Sequence, residues 1–410
     1  LENSNSIEGV KGLTYRRGND IFSNERQQII HDINELPFIS RDLLKDNKLK
    51  YADISTSRGC TRNCSFCCSP SFWSSEGSKW RGRDIFKVVD EIENIISKYG
   101  VRYFSFSDNS FEDPGINCKK VQNIAEEIIR RNLNICYFIN LRAEFQRKAS
   151  PQLMELLKKS GLYSVYIGIE AANEHDLRIY NKFAGIEDNE KIVELFRKYD
   201  IHVDIGFINF NPYSTFEGLR KNMNFLERHG FATCFPHASR YRIYKGSGLY
   251  ERIKSDGLLK KTRFDDEFSY EYINKEIEKL ANFLENYIFS YSAESYKIYF
   301  YSHDYIILLM YLKRQFESGE KNEAYRIVVE NERQVKEVLS DLNRRNSKSF
   351  SLLIDMAEKA WDEKIAFSIM EDIVPQKHIQ KAAAILDSYR VELLSNISRL
   401  GPEYSRYFIT

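Results

Sequence analysis

Four of the seven cysteines fall within nine residues, in the run Arg58-Gly59-Cys60-Thr61-Arg62-Asn63-Cys64-Ser65-Phe66-Cys67-Cys68. The first three have the spacing C-x3-C-x2-C. Thiolates so spaced can wrap one face of a cubane iron–sulfur cluster and hold three of its irons. With no fourth protein ligand the last iron stays open, and an open metal position lets a small molecule coordinate and react. Cys68 directly follows Cys67, is poorly placed to ligate the same metal, and reads as packing. Zinc is the competing reading. A structural zinc site closes with four ligands, usually as two spaced pairs, whereas here no His follows within thirty residues and the first one upstream is His31. The other cysteines are Cys118, Cys136 and Cys234. An odd number, with none after residue 234, does not read as a secreted disulfide framework, and a cluster in a reducing cytoplasm fits better.

The elements that must position this run alternate strand and helix from about residue 51 to 240. Tyr51–Ser57 reads as a strand running into the cysteine loop. Asp84 then caps a helix whose apolar residues Ile85, Val88, Val89, Ile92, Ile95, Ile96 and Tyr99 keep the 3.6-residue period of one buried face. Gly100 ends it, and Val101–Phe106 makes the next strand. A helix from about Asn117 to Arg131 leads to strand Asn134–Asn140, and a helix opened by Ser150-Pro151 leads to strand Tyr163–Ile169. Asp188 opens a helix to Tyr199 before strand His202–Ile208, Thr215–His229 is helical, and a last strand is expected near Ala232–Pro236. Six such units imply a parallel sheet curled by right-handed crossovers into a partial (β/α)6 TIM-like barrel, an α/β fold whose chemistry gathers at the C-terminal ends of the strands.

Residues 1–50 read as an extended lead-in with one short helix around Glu25–Glu35, residues 51–262 as the barrel, and residues 263–410 as a helical C-terminal domain. From Phe264 to Leu400 there is almost no Gly or Pro, and stretches such as Tyr272–Phe289 and Ile379–Leu400 are helical. This domain is expected to cover the open barrel mouth.

The 410-residue chain has room for a large and a small core. With 60 basic and 59 acidic residues the net charge is +1, which leaves no footprint for nucleic acid or an anionic membrane. The apolar stretch Tyr305–Leu312 is far too short to span a bilayer. The first residues are polar, so no signal peptide is expected. The chain begins Leu1-Glu2 without an initiator Met and is read as processed or cut from something longer.

The cysteine spacing, with an aromatic (Phe66) before the last Cys and at the end of the first strand of a βα series, resembles the signature of the radical S-adenosylmethionine (SAM) superfamily. That resemblance implies a [4Fe-4S] cluster on Cys60, Cys64 and Cys67 whose open iron binds the amino and carboxylate groups of SAM. It also implies reductive cleavage to methionine and a 5′-deoxyadenosyl radical, with electrons from a donor such as flavodoxin or ferredoxin. Over roughly residues 8–250 the chain is similar to the cobalamin-dependent branch. The similarity rests on the lead-in Ile7-Glu8-Gly9-Val10-Lys11-Gly12-Leu13-Thr14-Tyr15-Arg16, on Ile33-Asn34-Glu35-Leu36-Pro37-Phe38, on Phe106-Ser107-Asp108-Asn109-Ser110-Phe111, on Tyr166-Ile167-Gly168-Ile169-Glu170 and on Pro212-x-x-Thr215.

Carried over residue by residue, the resemblance puts Asp108 and Asn109 at the SAM amino group, Glu170 at the ribose hydroxyls, and Arg142 and Lys182 at the SAM carboxylate; a carboxylate suits an ammonium. On the residues alone, Asp108 and Glu170 also read as strand-end caps or surface ion pairs. Phe210 stands where the family usually has Gly, and Lys245 where Pro is usual. No D-x-H-x-x-G run for a lower axial His is present, so cobalamin enters only if supplied from outside this chain. The lack of cysteines after 234 implies a single cluster, and the missing N-terminal cysteines disfavour a methylthiotransferase.

Two function classes remain. One is a radical SAM enzyme that abstracts hydrogen from a small-molecule or peptide substrate, leading to methylation, epimerisation, cyclisation or rearrangement, with Cys118, Cys136 or Cys234 as a hydrogen donor or as plain packing. The other is a cluster- or zinc-bearing binding module without turnover.

Overall fold

The computed structural model describes residues 7–44, 51–73, 79–115, 117–233, 238–261, 268–287, 293–316 and 323–401. Its centre is a five-stranded sheet of Tyr51–Ile54 (β1), Tyr103–Phe106 (β2), Cys136–Arg142 (β3), Leu162–Glu170 (β4) and His202–Phe207 (β5). The strands neighbour one another in chain order and all pair in parallel, Ala52 opposite Phe104, Phe104 opposite Tyr137, Ile139 opposite Val165 and Ile167 opposite Ile205. That order is the open-barrel arrangement expected of repeated βα units.

The helices form where the sequence punctuates them. Ile85–Tyr99 (α1) starts at Asp84, whose side chain accepts from Lys87 N at 3.0 Å, and stops at Gly100, whose φ of 69° suits a residue without Cβ. It buries Val88, Val89, Ile92 and Ile95, each such aliphatic contributing about 1.5–3 kcal/mol of transfer free energy. Lys119–Arg130 (α2), Pro151–Ser160 (α3), Ile186–Lys198 (α4) and Phe216–Arg228 (α5) follow the next strands. Ser150 caps α3 and Thr215 caps α5 through their hydroxyls, while Asp188 lies in the first turn of α4 and bonds back to Gly185 N at 2.8 Å.

The two faces of the sheet differ. Ala52, Ile54, Phe104, Phe106, Tyr137, Ile139, Val165, Ile167, Val203 and Ile205 point to the helices and are buried. On the opposite, lumen-facing side Tyr51, Asp53 and Tyr166 are exposed, and Ser105, Phe138, Asn140, His202 and Asp204 are half-buried. Parallel sheets normally bury both faces; here the inner face lines an open space.

The chain differs from expectation in several places. The strand expected from Tyr51 to Ser57 ends at Ile54. Ser57–Gly59 then pairs antiparallel with Trp80–Gly82, a hairpin that carries the cysteine loop. The sixth strand expected at Ala232–Pro236 is not formed at Ala232 and Thr233, which lie in a turn, and residues 234–236 fall outside the described residues. A single parallel bridge, Phe210 to Arg240, continues the sheet edge instead. Among its described residues the lead-in holds a hairpin, Thr14–Arg17 with Asp20–Ser23, and three 3-10 turns, of which Ile33–Glu35 stands where a helix over 25–35 was expected.

Lys275–Asn286 (α6), Ala293–Phe316 (α7), Glu323–Lys359 (α8), Glu363–Ile373 (α9) and Gln376–Leu400 (α10) make the helical region, and the expected boundary at 262–263 lies outside the described residues. Its core includes Leu308, Leu309, Leu312, Phe350, Leu353 and Ile354 and is continuous with Cys136 and Tyr163 at the strand starts and with Leu219 and Met223 of α5. Asn343 accepts from Ala232 N at 2.7 Å and donates to Glu227 O at 3.0 Å. Arg314 donates to the carbonyls of Lys158 and Lys159 at 2.5 and 3.0 Å. These contacts seat α7 and α8 against the C-terminal ends of α3 and α5, while Phe350 of α8 and Glu285 of α6 reach Phe210 and Arg240 beyond the end of β5. Among the described residues no helix is long and apolar enough to cross a membrane.

Candidate functional site

The cysteine loop leaves its hairpin through Gly59, whose φ is +92° and where a Cβ would sit 2.0 Å from Lys79 O. Only glycine satisfies both conditions. The loop is then stapled on three sides. Cys60 N donates to Lys79 O at 3.1 Å, Ser65 N donates to Tyr180 O at 2.9 Å, and Leu249 N donates to Ser65 O at 2.7 Å. Phe66 meets the edge of Tyr180 with ring centres 5.6 Å apart, and Asn181 reaches Asn63 O at 2.9 Å.

Cys60, Cys64 and Cys67 are half-buried, and Cys68 is exposed. Three N–H groups aim at the sulfurs: Arg62 N and Arg142 Nη1 at 3.4 and 3.5 Å from Cys60 Sγ, and Ser69 N at 3.4 Å from Cys67 Sγ. Burial pushes the Cys60 thiol up to about 11, and it raises Cys64 and Cys67 as well. A thiolate here therefore calls for a bound cation. Among the described residues no three Cys, His, Asp or Glu side chains converge on one metal ion; a cubane places each thiolate on a separate iron and does not require that convergence. An all-sulfur donor set with N–H groups facing the sulfurs fits an iron–sulfur cluster.

The other residues singled out in the sequence fall into two groups. Arg142, Glu170 and Lys182 stand around Cys64, whose electrostatic surroundings they set together with Glu144. Glu170 closes β4 in a left-handed conformation (φ 66°) at a register shift. Burial pushes its carboxyl up against the opposing pull of Lys182, whose Nζ lies 3.8 Å from Oε1 and donates to Gly168 O at 2.9 Å. Asp108 is buried and bonded to the residues that follow β1. It accepts from Thr56 N at 3.0 Å, from Thr56 Oγ1 at 2.6 Å and from Ser57 Oγ, and Lys120 approaches it to 3.6 Å. These bonds tie the end of β1 to the end of β2. Asn109 beside it is exposed.

Arg142 ends β3 within a set of charges that the sequence reading passed over. Glu112 Oε1, Asp113 Oδ1 and Glu144 Oε1 lie 3.2, 2.8 and 3.0 Å from its guanidinium. Asp113 also accepts from Thr61 N and Thr61 Oγ1, and Glu144 from Arg62 Nε at 3.0 Å. Burial alone would raise the Asp113 carboxyl, yet Arg142 and Thr61 hold it below its ordinary value, while Glu112 is pushed up by burial. The available signal was acidic residues in the loops that follow the strands.

Cys118 and Cys136 are buried, Cys136 at the base of the sheet in the core shared with the helical region; Cys234 lies outside the described residues. Phe210, where Gly was expected, is fully buried with its ring 6.1 Å from Phe350, and Lys245 is exposed.

Comparison with known proteins places this geometry. The Radical SAM superfamily model matches residues 54–226. The chain is 26% identical over 265 residues to an uncharacterized methyltransferase of Pyrococcus horikoshii, covering 63% of this chain and 55% of that protein. It is 32% identical over 211 residues to an anaerobic magnesium-protoporphyrin IX monomethyl ester cyclase of Cereibacter sphaeroides, covering 48% and 32%. The chain thus spans about half or less of these relatives. Its fold is similar to that of the cobalamin-dependent SAM radical enzyme OxsB, with TM-score 0.63 at 16% identity over 96% of this chain and 61% of that one. The likeness therefore runs through the helical region. The methyltransferase TsrM of Kitasatospora setae shares the fold at TM-score 0.51 and 17% identity, over 64% of this chain and 53% of that one.

Proposed function

Residues 54–226 form a radical SAM domain, and from that premise we propose that the chain is the catalytic part of a SAM-cleaving enzyme that abstracts hydrogen from an organic or peptide substrate. The observation that carries this reading is the loop of three half-buried thiols with N–H groups at two sulfurs, held just past the end of the first barrel strand. A [4Fe-4S] cluster bound there would supply the low-potential electron for reductive cleavage of SAM. Cys60, Cys64 and Cys67 would hold the cluster and Glu170 would accept from the ribose hydroxyls, with Lys182 donating to the Gly168 carbonyl beside it. Asn109, exposed past the end of β2, would take the amino group of SAM, and Asp108 holds that loop to the end of β1. Phe66 packs on Tyr180 and keeps the loop in register. The substrate occupies the wet inner face of the sheet, where Asn140 stands opposite Tyr166 and Tyr166 opposite Asp204.

The relatives' methyltransferase and cyclase names make methylation or ring closure the favoured outcomes, with cobalamin supplied from outside these residues. A low-potential donor such as flavodoxin or ferredoxin in the cytoplasm fits the cluster's need for shielding from oxygen. Anaerobic reconstitution with iron and sulfide, followed by SAM and dithionite, tests the reading. About four irons per chain and release of 5′-deoxyadenosine are expected, both lost in Cys64→Ala. Tight zinc binding with no SAM cleavage would leave the binding-module reading in its place.

A further inference from the structure

We propose that Arg142 is held as a fixed cation against Cys60 and sets the reduction potential of the cluster. This rests on the cluster reading above and goes beyond it. It also differs from the role in SAM binding that the sequence suggests for Arg142.

The argument starts from where the guanidinium's donors go. Nη2 is 2.8 Å from Asp113 Oδ1, and Nε is shared between Glu112 Oε1 at 3.2 Å and Glu144 Oε1 at 3.0 Å. Nη1 is the group left over, and it lies 3.5 Å from Cys60 Sγ. The backbone is fixed too, because Arg142 N donates to Glu112 Oε1 at 3.1 Å. With three carboxylates on two of its nitrogens, the planar fork has one orientation. The group is buried, its side chain 11% exposed and those of Glu112, Asp113 and Glu144 4%, 0% and 9%. A charge at this depth is weakly screened.

The same acids hold the loop. Thr61 N and Oγ1 sit on Asp113 at 2.9 and 2.7 Å, and Arg62 Nε sits on Glu144 at 3.0 Å, which presents Arg62 N to Cys60 Sγ at 3.4 Å. Cys60 therefore receives an amide and a guanidinium, Cys67 one amide, and no such donor is recorded at Cys64 among the described residues. Hydrogen bonds to cluster sulfurs and nearby positive charge stabilise the reduced, more negative cluster and raise its potential. The acids oppose this by charge, yet they are what keeps the guanidinium in place.

The test is an EPR-monitored redox titration of the reconstituted chain without SAM, with iron content measured on each sample. Arg142→Gln is expected to keep its iron and shift the potential to a more negative value, with Arg142→Lys shifting it less. Glu144→Gln removes a negative charge while an amide oxygen still accepts from Arg142, so it is expected to shift the potential upward. It also tests the idea if the Arg142 variants fail to fold. An unchanged or more positive potential in Arg142→Gln at full iron content overturns the proposal, as does a negative shift in Glu144→Gln. An unchanged potential with weakened SAM-induced change in the EPR signal would assign Arg142 to the SAM carboxylate instead. Failure of the wild-type chain to take up iron would overturn the cluster reading itself, a distinct result.

Discussion

Thr61 and Asp113, 52 residues apart, meet twice: the backbone N–H of Thr61 donates to one carboxylate oxygen at 2.9 Å and its hydroxyl to the other at 2.7 Å. The residue after the first cysteine is thereby locked to the loop that follows β2. Asp113 spends its remaining capacity on Arg142, so one fully buried carboxylate joins the cysteine loop to the end of β3.

Asp113→Ala leaves Arg142 and the Thr61 amide short of a buried acceptor. Removing one partner of a buried ion pair costs about 3–5 kcal/mol. Urea unfolding of the metal-free chain is expected to show a loss in that range, and the reconstituted variant should retain less iron after desalting. A loss below about 1 kcal/mol, the level of a surface pair, would mean that the junction is not structural.

Gly59→Ala is expected to disable the loop without touching a thiol. The left-handed φ of +92° and the 2.0 Å approach to Lys79 O both oppose a methyl group. Relieving them separates the hairpin Ser57–Gly59 with Trp80–Gly82, at a cost of about 1–3 kcal/mol for the backbone strain alone. Iron per chain after reconstitution should drop. Gly230→Ala, also at positive φ but with nothing within 4 Å, controls for strain away from the loop and should leave iron uptake unchanged.

Asp341 gives a pH-dependent prediction away from the site. Burial alone would raise its carboxyl, but Arg344 and Arg345 at 2.6 and 2.8 Å, and His378 at 2.9 Å, hold it at about 2 against an ordinary 3.8. A folded value below the unfolded one stabilises the fold above the ordinary value, and that contribution drains away as pH falls from 3.8 toward 2. Asp341→Asn should therefore be less stable than the wild type at pH 7, with the gap closing over that acidic window. A gap that is the same at pH 7 and pH 2.5 would show that the effect is not electrostatic.

Much of the barrel was legible because its signals are local. Asp84 and Gly100 bracket a helix with one apolar face, and the strands alternate between the buried face of Phe104, Ile139 and Ile167 and the wet face of Ser105, Asn140 and Tyr166. The cysteines were legible as a spacing. Glu112, Asp113 and Glu144 were not, because their meaning arises only when three strand ends converge and bring residues up to 82 positions apart within bonding distance. The lead-in helix failed because residues 24–30 have no periodic apolar face and the chain there takes no regular form. The seat of the helical region was equally hidden. Its packing on the barrel depends on single side chains such as Phe210, Phe350 and Asn343 finding partners that no local pattern announces.

Glu170 offers the most direct test of the SAM-facing side. Its backbone sits at φ 66°, an unusual conformation for a residue with a Cβ, and it marks the register shift against β5, where Ile208 N donates to its carbonyl at 2.8 Å. The carboxylate is turned over Gly168, where a Cβ would lie 2.6 Å from Oε1, so the absent side chain at Gly168 is what admits it. A carboxylate placed this way accepts hydrogen bonds from vicinal hydroxyls, and a bond to a charged acceptor contributes about 1.5–3 kcal/mol. Glu170→Gln keeps the volume and one acceptor oxygen but removes the charge that faces Lys182. Iron uptake should match the wild type, because the cysteine loop is stapled through Tyr180, Lys79 and Leu249 and not through Glu170. SAM affinity, read from the SAM-induced change in the EPR signal of the reduced cluster, should fall by about tenfold or more, the equivalent of 1.4 kcal/mol. Unchanged affinity at full iron content would remove Glu170 from the SAM site and leave it as the closing residue of β4.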